Sequence, residues 1–265
     1  MPFSRLLLLP VILIFFYKWS FAASIALIID DFGNNPELGV QAIELPGVYT
    51  AGILPGTPYA TMLAEMANAK GHEIMVHVPM ESEHHKALGP GALQLKMSEY
   101  DFKQTLEAAI EAVPNAKGLN NHMGSLLTQH QLPMQWIMES LKRHDLYFID
   151  SRTTVETVAQ QVAEFNQVPN LRRDVFLDNE RTFEAIQKQF AQLVRLAKKR
   201  GFATGIAHPY PETLKALKLL LPELDKQGVK LVKLSDYLKN TQSNRRDSWP
   251  EPLSPLPKVV KNLKP

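Results

Sequence analysis

Short apolar runs rich in β-branched residues alternate with amphipathic stretches along most of this chain, and that alternation restricts the fold more than any other feature. The strand-like runs fall at 24–30, 48–53, 73–78, 118–122, 146–150, 174–178, 203–208 and 229–234. Helix-like stretches occupy 59–69, 101–113, 133–143, 155–165, 181–200 and 211–227 between most of them. In 181–200, Phe183, Ile186, Phe190, Leu193 and Leu196 recur at helical spacing, while Lys188, Arg195 and Lys198 take the other faces. Lys70-Gly71 and Arg200-Gly201 supply the basic residue and glycine that suit a helix C-terminus. So many βα units argue for parallel strands. No dinucleotide-type Gly-rich turn follows the first run. The expected fold is therefore α/β, a distorted or incomplete (β/α) barrel of about seven βα units in a single domain.

Composition narrows the function classes. With 265 residues, 45% of them hydrophobic, the chain can bury one large core. Basic and acidic residues nearly cancel, 29 against 27, so no field of one sign points to nucleic acid as a partner. Arg5 precedes an apolar run at 6–17, and Ser20-Phe21-Ala22 supplies the small residues a signal peptidase needs. Residues 1–22 are expected to be a secretory signal peptide cut after Ala22. The alternative is an uncleaved anchor; Lys18 and the shortness of the run favour cleavage, which leaves no stable membrane span. The chain has no cysteine, so an exported form is held by its core, and any metal site must use histidine and carboxylate. A bacterial periplasm is the compartment expected. The folded domain is placed at 23–240, and 241–265, proline-rich and carrying Arg245 and Arg246, is expected to be a flexible basic tail.

Polar side chains gather at the ends of the strand-like runs. Asp30-Asp31 ends the first, His77 lies near the end of the third, and His122 ends the fourth. Asp150-Ser151-Arg152 ends the fifth, Arg173-Asp174 and Asp178 flank the sixth, and His208 ends the seventh. In parallel α/β folds the C-terminal strand ends converge on one face. Two histidines and an aspartate meeting there suffice for a catalytic zinc that keeps an open position. Each residue also has a plainer reading. Asp30-Asp31 alone reads as a solvated turn, His77 between Val76 and Val78 as a hydrogen-bonded core histidine, and His208-Pro209 as a turn before a helix. Arg152 and Arg173 either bind an anionic substrate group or pair with Asp150 and Asp174, the reading favoured for both. His84, His85 and His130 read as solvated loop residues, and His72 and Glu73, at a strand start, point to the opposite end of the barrel. Residues 82–97 form a long loop of the kind that borders active sites.

These residues carry a resemblance. The chain resembles the polysaccharide deacetylase superfamily (carbohydrate esterase family 4-like), and more specifically its divergent branch of exported bacterial proteins, over roughly 24–238. The likeness rests on Ile28-Ile29-Asp30-Asp31-Phe32-Gly33, on His72-Glu73 through Met80-Glu81, and on Asn120-Asn121-His122-Met123-Gly124-Ser125. Phe148-Ile149-Asp150-Ser151-Arg152, Arg173-Asp174 through Asp178, and His208-Pro209-Tyr210-Pro211-Glu212-Thr213 complete it. The resemblance implies a distorted barrel in which Asp30 is the catalytic base and Asp31 a ligand to a divalent metal. His77 matches the first histidine of the family's His-x-x-x-His motif. The chain departs at the second, where Glu81 stands, and His122 becomes the replacement ligand. His208 matches the late histidine that acts as general acid. The family's arginine-proline segment has no clear counterpart.

The activity expected is that of a metal-dependent hydrolase, zinc being favoured by the two imidazoles. Its substrate would be an N- or O-acetylated envelope polysaccharide or peptidoglycan-type glycan. Asp30 and His208 are the catalytic pair, Asp31, His77 and His122 the metal ligands. Glu81, Asn121, Asp150, Arg152, Arg173 and Asp174 are placed in substrate binding or support. The alternative is a silent glycan- or protein-binding envelope protein that retains the metal site.

Overall fold

β1 (Ala23–Phe32) forms the middle of a parallel sheet, with β2 (Thr50–Ile53) on one side and β8 (Phe202–Ala207) on the other. The computed structural model describes residues 23–83, 87–89 and 91–247, with side chains through 241. The expected signal peptide, His84 and His85 thus lie outside the described residues. From β2 the sheet continues through β3 (Glu73–Met80), β4 (Ala116–Met123), β5 (Tyr147–Asp150) and β6 (Asn170–Arg172). Beyond β8 it ends at β7 (Val175–Phe176), and β9 (Val229–Leu231) pairs with the start of β1.

The sheet curls into an incomplete barrel because one short segment joins its two ends. β6 bonds to β5 and β7 to β8, yet only Arg173 and Asp174 separate them. The Arg173 amide donates to the Asp150 carbonyl at 2.9 Å, and the next amide, Asp174, donates to the Thr204 carbonyl at 2.9 Å. A two-residue link spans only about 7–10 Å, so the strand path nearly closes on itself. This crossing also corrects the single strand expected at 174–178: the chain changes pairing partner there and the ladder breaks.

Helices cover the outside. They are α1 (Pro36–Ile43), α2 (Ala60–Ala69), α3 (Glu99–Glu111), α4 (Gln131–Arg143), α5 (Ala159–Phe165), α6 (Phe183–Arg200), α7 (Pro211–Leu220) and α8 (Leu234–Asp247). Among the described residues no helix is long and apolar enough to cross a membrane. α1 was absent from the sequence expectations, although Asn35 caps it through the Leu38 amide and Pro36 opens it. α8 carries the fold past the boundary expected at 240, to Asp247; the rest of the expected tail lies outside the described residues.

Alternation along the strands sorts side chains into two cores. Ile25, Leu27 and Ile29 of β1 join the larger one, with helix residues such as Leu63, Phe102 and Leu193. Ala26 and Ile28 point the other way, into the barrel, and pack with Met75, Ile149 and Ile206. Leu234 and Leu238 of α8 close that interior from below. At the same end the buried Glu73 carboxylate accepts from Thr50, Tyr147 and the Ser235 amide, while His72 bonds the Ile43 carbonyl. The bottom of the barrel is thus a sealed polar plug, and function is left to the top.

Candidate metal centre

One step above the interior layer of Ile28, Met75, Ile149 and Ile206, the same inward register carries polar residues. Two positions on from each lie Asp30, His77, Ser151 and His208, and on β4 the register adds Asn120 and His122. Asp31 should point outward by this count. It does not, because β1 bulges: Ile29 pairs with Ala51 but Phe32 with Ile53, so one extra residue is fitted in. Asp31 takes up the bulge with φ 62°, a left-handed conformation that side chains other than glycine rarely adopt. Both carboxylates therefore reach His77, Asp30 Oδ1 lying 3.5 Å from Nδ1 and Asp31 Oδ1 3.3 Å from Nε2.

Asp31 Oδ1, His77 Nε2 and His122 Nδ1 form a triangle. Asp31 Oδ1 lies 3.0 Å from His122 Nδ1 and 3.3 Å from His77 Nε2, and the two nitrogens are 3.1 Å apart. Donors about 2.0–2.1 Å from one ion lie about 2.8–3.4 Å apart at neighbouring octahedral or tetrahedral positions. The chemistry of the set agrees. Asp31 Oδ1 is buried and accepts no hydrogen bond from the described residues, although two imidazole nitrogens stand beside it. Burial works against its charge, but the two imidazoles outweigh it and hold the carboxyl well below the usual carboxylate range. His77 Nδ1 donates to Asn120 Oδ1 at 2.7 Å, which leaves Nε2 as a free lone pair aimed into the triangle. The three residues fit a divalent cation and leave its remaining positions open toward a cavity of about 340 Å³.

Asp30 stands outside that triangle. It is 1% exposed, and Asn120 Nδ2 donates to both its oxygens, at 3.1 and 2.9 Å. Burial pushes its carboxyl above the usual value, against the pull of His77 and His208. Its place depends on Gly52 of the neighbouring strand, where a Cβ would come within 2.0 Å of Asp30 Oδ1. Asn120 thus ties two aspects of the site together: it fixes the ring of a triangle member and the carboxylate of its neighbour.

His208 approaches from the other side, with Nε2 4.0 Å from Asp31 Oδ2. Asp178, fully buried, accepts from His208 Nδ1 at 3.0 Å, from the His208 amide and from Thr213 Oγ1. Nδ1 therefore carries a proton, and Nε2 faces the cavity. Burial alone would lower its pKa; Asp178, Asp31 and Asp30 reverse that and raise it.

The other expected residues hold the rim. Glu81 is not part of the triangle and accepts the Leu95 amide at 2.8 Å, fixing the long loop. Asn121 accepts from the Ser151 amide and donates to the Met123 carbonyl. Asp150 accepts the Arg152 amide and the Thr157 hydroxyl. The pairing of Arg173 with Asp174 does not form: Arg173 donates to the carbonyls of Ser151 and Arg152, and Asp174 takes Arg200 at 3.0 Å. Arg152 likewise meets Asp150 through its backbone amide and not through a side-chain ion pair. Asp150 and the guanidinium of Arg173 serve the turn after β5, where backbone groups outnumber other partners. His130 is exposed. Asn120 and Gly52 were not among the expected site residues, and Asp178, placed beside the sixth strand-like run, was given no role. The even spacing from Asn120 to His122 was the one signal available for the first.

A pH dependence follows from His77. Burial lowers its pKa, but Asp30 and Asp31 raise it more, to about 9 in the metal-free protein. A cation entering the triangle must displace that proton. Zn²⁺ affinity, followed by competition with a chromophoric chelator, is expected to rise about tenfold per pH unit between pH 7 and 9 and then level off. An affinity flat over this range would exclude His77 as a ligand.

Comparison with known proteins matches the chain to a family. The chain is 33% identical over 261 residues to the uncharacterized protein YibQ of Escherichia coli, across 98% of this chain and 81% of that protein. Its fold is similar to that of the uncharacterized protein ATU2773 of Agrobacterium tumefaciens, with a TM-score of 0.79 at 23% identity, over 82% of this chain and 89% of that one. It is similar also to the peptidoglycan deacetylase PdaC of Bacillus subtilis, here as the mutant D285S, with a TM-score of 0.52 at 14% identity, over 86% and 98%. The family model described as divergent polysaccharide deacetylase matches residues 27–238, from the middle of β1 into α8. The chain belongs to the divergent polysaccharide deacetylase family.

Proposed function

We propose that this protein is an exported, metal-dependent hydrolase that removes acetyl groups from an envelope polysaccharide in the periplasm. One observation carries the reading: a three-donor triangle with a separate buried carboxylate on one side and a carboxylate-bound histidine on the other. A bound zinc ion would lower the pKa of its water and polarise the acetyl carbonyl. Asp31, His77 and His122 would hold it. Asp30 takes the proton of the attacking water, and its raised pKa suits a base that must also release that proton. Asn120 keeps the Asp30 oxygens aimed while adding no charge. His208 donates from Nε2 to the departing amine or alkoxide, and Asp178 stabilises the charge this histidine carries beforehand.

A second reading is a silent glycan-binding protein of the envelope. It is favoured by Glu81, which stands in the second motif position and serves a loop amide. Acetate release from chitooligosaccharides and peptidoglycan fragments separates the two. The zinc-loaded protein is expected to release acetate and the chelated protein none. Binding without acetate release from any acetylated glycan would establish the silent reading.

A further inference from the structure

Arg181 and Tyr210 stand together at the mouth of the cavity. The Arg181 guanidinium lies over the Tyr210 ring, Cζ 3.5 Å from its centroid. The Tyr210 ring in turn lies 5.5 Å from the His208 ring, with 25° between their planes. These contacts in series lead from His208 through Tyr210 to the guanidinium. Among the described residues Arg181 has no carboxylate within ion-pair distance. Arg173, by contrast, is taken up by two carbonyls.

Stacking on an aromatic face fixes the plane of a guanidinium, and Arg181 also hydrogen-bonds the Tyr210 side chain, which leaves the rest of its in-plane N–H fork for a second partner. That fork matches a carboxylate, which it binds through charge-assisted hydrogen bonds. Charge is also segregated along the cavity. Asp30, Asp31 and Asp178 line its floor, and Arg181 is the one side chain with a permanent positive charge among its lining residues. The remaining rim residues, Thr153, Asn179, Met123 and Phe176, are neutral. With a divalent ion and a charged His208 the floor would nearly cancel, which leaves Arg181 as the positive charge that meets an anionic substituent at the mouth.

The geometry points to Arg181 as the binding site for a carboxylate borne by the glycan beside the acetylated sugar, so that the substrate class is an acidic acetylated glycan. This rests on the deacetylase reading. The test compares zinc-loaded wild type with Arg181→Gln and Arg181→Lys on glycan strands containing muramic acid, on the same strands with the carboxyl reduced to alcohol, and on chitooligosaccharides of equal length. The wild-type preference in kcat/KM for the carboxylated strand over its reduced form is expected to be about tenfold or more. It should collapse in Arg181→Gln, return in part in Arg181→Lys, and weaken with added salt. A preference absent in wild type, or unchanged in Arg181→Gln, overturns the assignment and leaves deacetylation standing. If no strand yields acetate, the deacetylase reading fails; calorimetric binding of the carboxylated and reduced strands to wild type and Arg181→Gln then decides on Arg181 alone. Equal affinities there overturn the inference.

Discussion

Asp30→Asn is expected to keep its metal and to lower kcat for acetate release by about a thousandfold, the middle of the range that a positioned general base contributes. The two carboxylates are adjacent in sequence but separate in space. Asp31 stands in the triangle with His77 and His122, and Asp30 lies outside it, held by Asn120. An amide at position 30 keeps the size of the side chain and removes its capacity to take a proton. Elemental analysis and kinetics on one preparation read both halves of the expectation. Loss of metal and activity together would exchange the roles of Asp30 and Asp31.

The reason the pair can divide its labour is the bulge in β1. On a regular strand one of two successive side chains would face the helices, on the side taken by Leu27 and Ile29. The left-handed Asp31 turns its carboxylate back to the inward side. The apolar run announced a buried strand, and the acidic pair at its tip announced something unusual. The turn of Asp31 was not legible, because a bulge depends on how β1 pairs with β2 and not on the run itself.

The same division between local and tertiary signals explains the other successes and misses. The inward positions of His77, His122 and His208 follow from strand ends and alternation, so their convergence could be read. Asn120 hid behind His122 as one of two asparagines, and only the pairing of β3 with β4 shows which faces His77. Gly52 matters through a neighbour on another strand, a role no run of sequence displays. The 174–178 strand failed for a like reason: Arg173 and Asp174 join two strands of the closing barrel, and neither partner is near in sequence.

His122→Ala is expected to weaken zinc binding by more than about 100-fold, the upper end of what loss of an outer-shell partner costs at a metal site. Glu81→Ala is expected to leave the stoichiometry unchanged. The two substitutions decide how this chain departs from the His-x-x-x-His pattern that the resemblance led one to expect. Glu81 lies four residues beyond His77 but spends its carboxylate on the Leu95 amide, in the loop that follows β3. His122 comes from the adjacent strand, where its Nδ1 is 3.1 Å from His77 Nε2 and 3.0 Å from Asp31 Oδ1. A ligand supplied by a neighbouring strand is held by barrel pairing, whereas one supplied four residues along the same chain is held by a loop. Zinc content after desalting, measured beside the exposed-site control His130→Ala, reads the result. Retention of zinc by His122→Ala, with loss in Glu81→Ala, would return the site to the expected spacing of four residues and move His122 to the substrate side of the cavity.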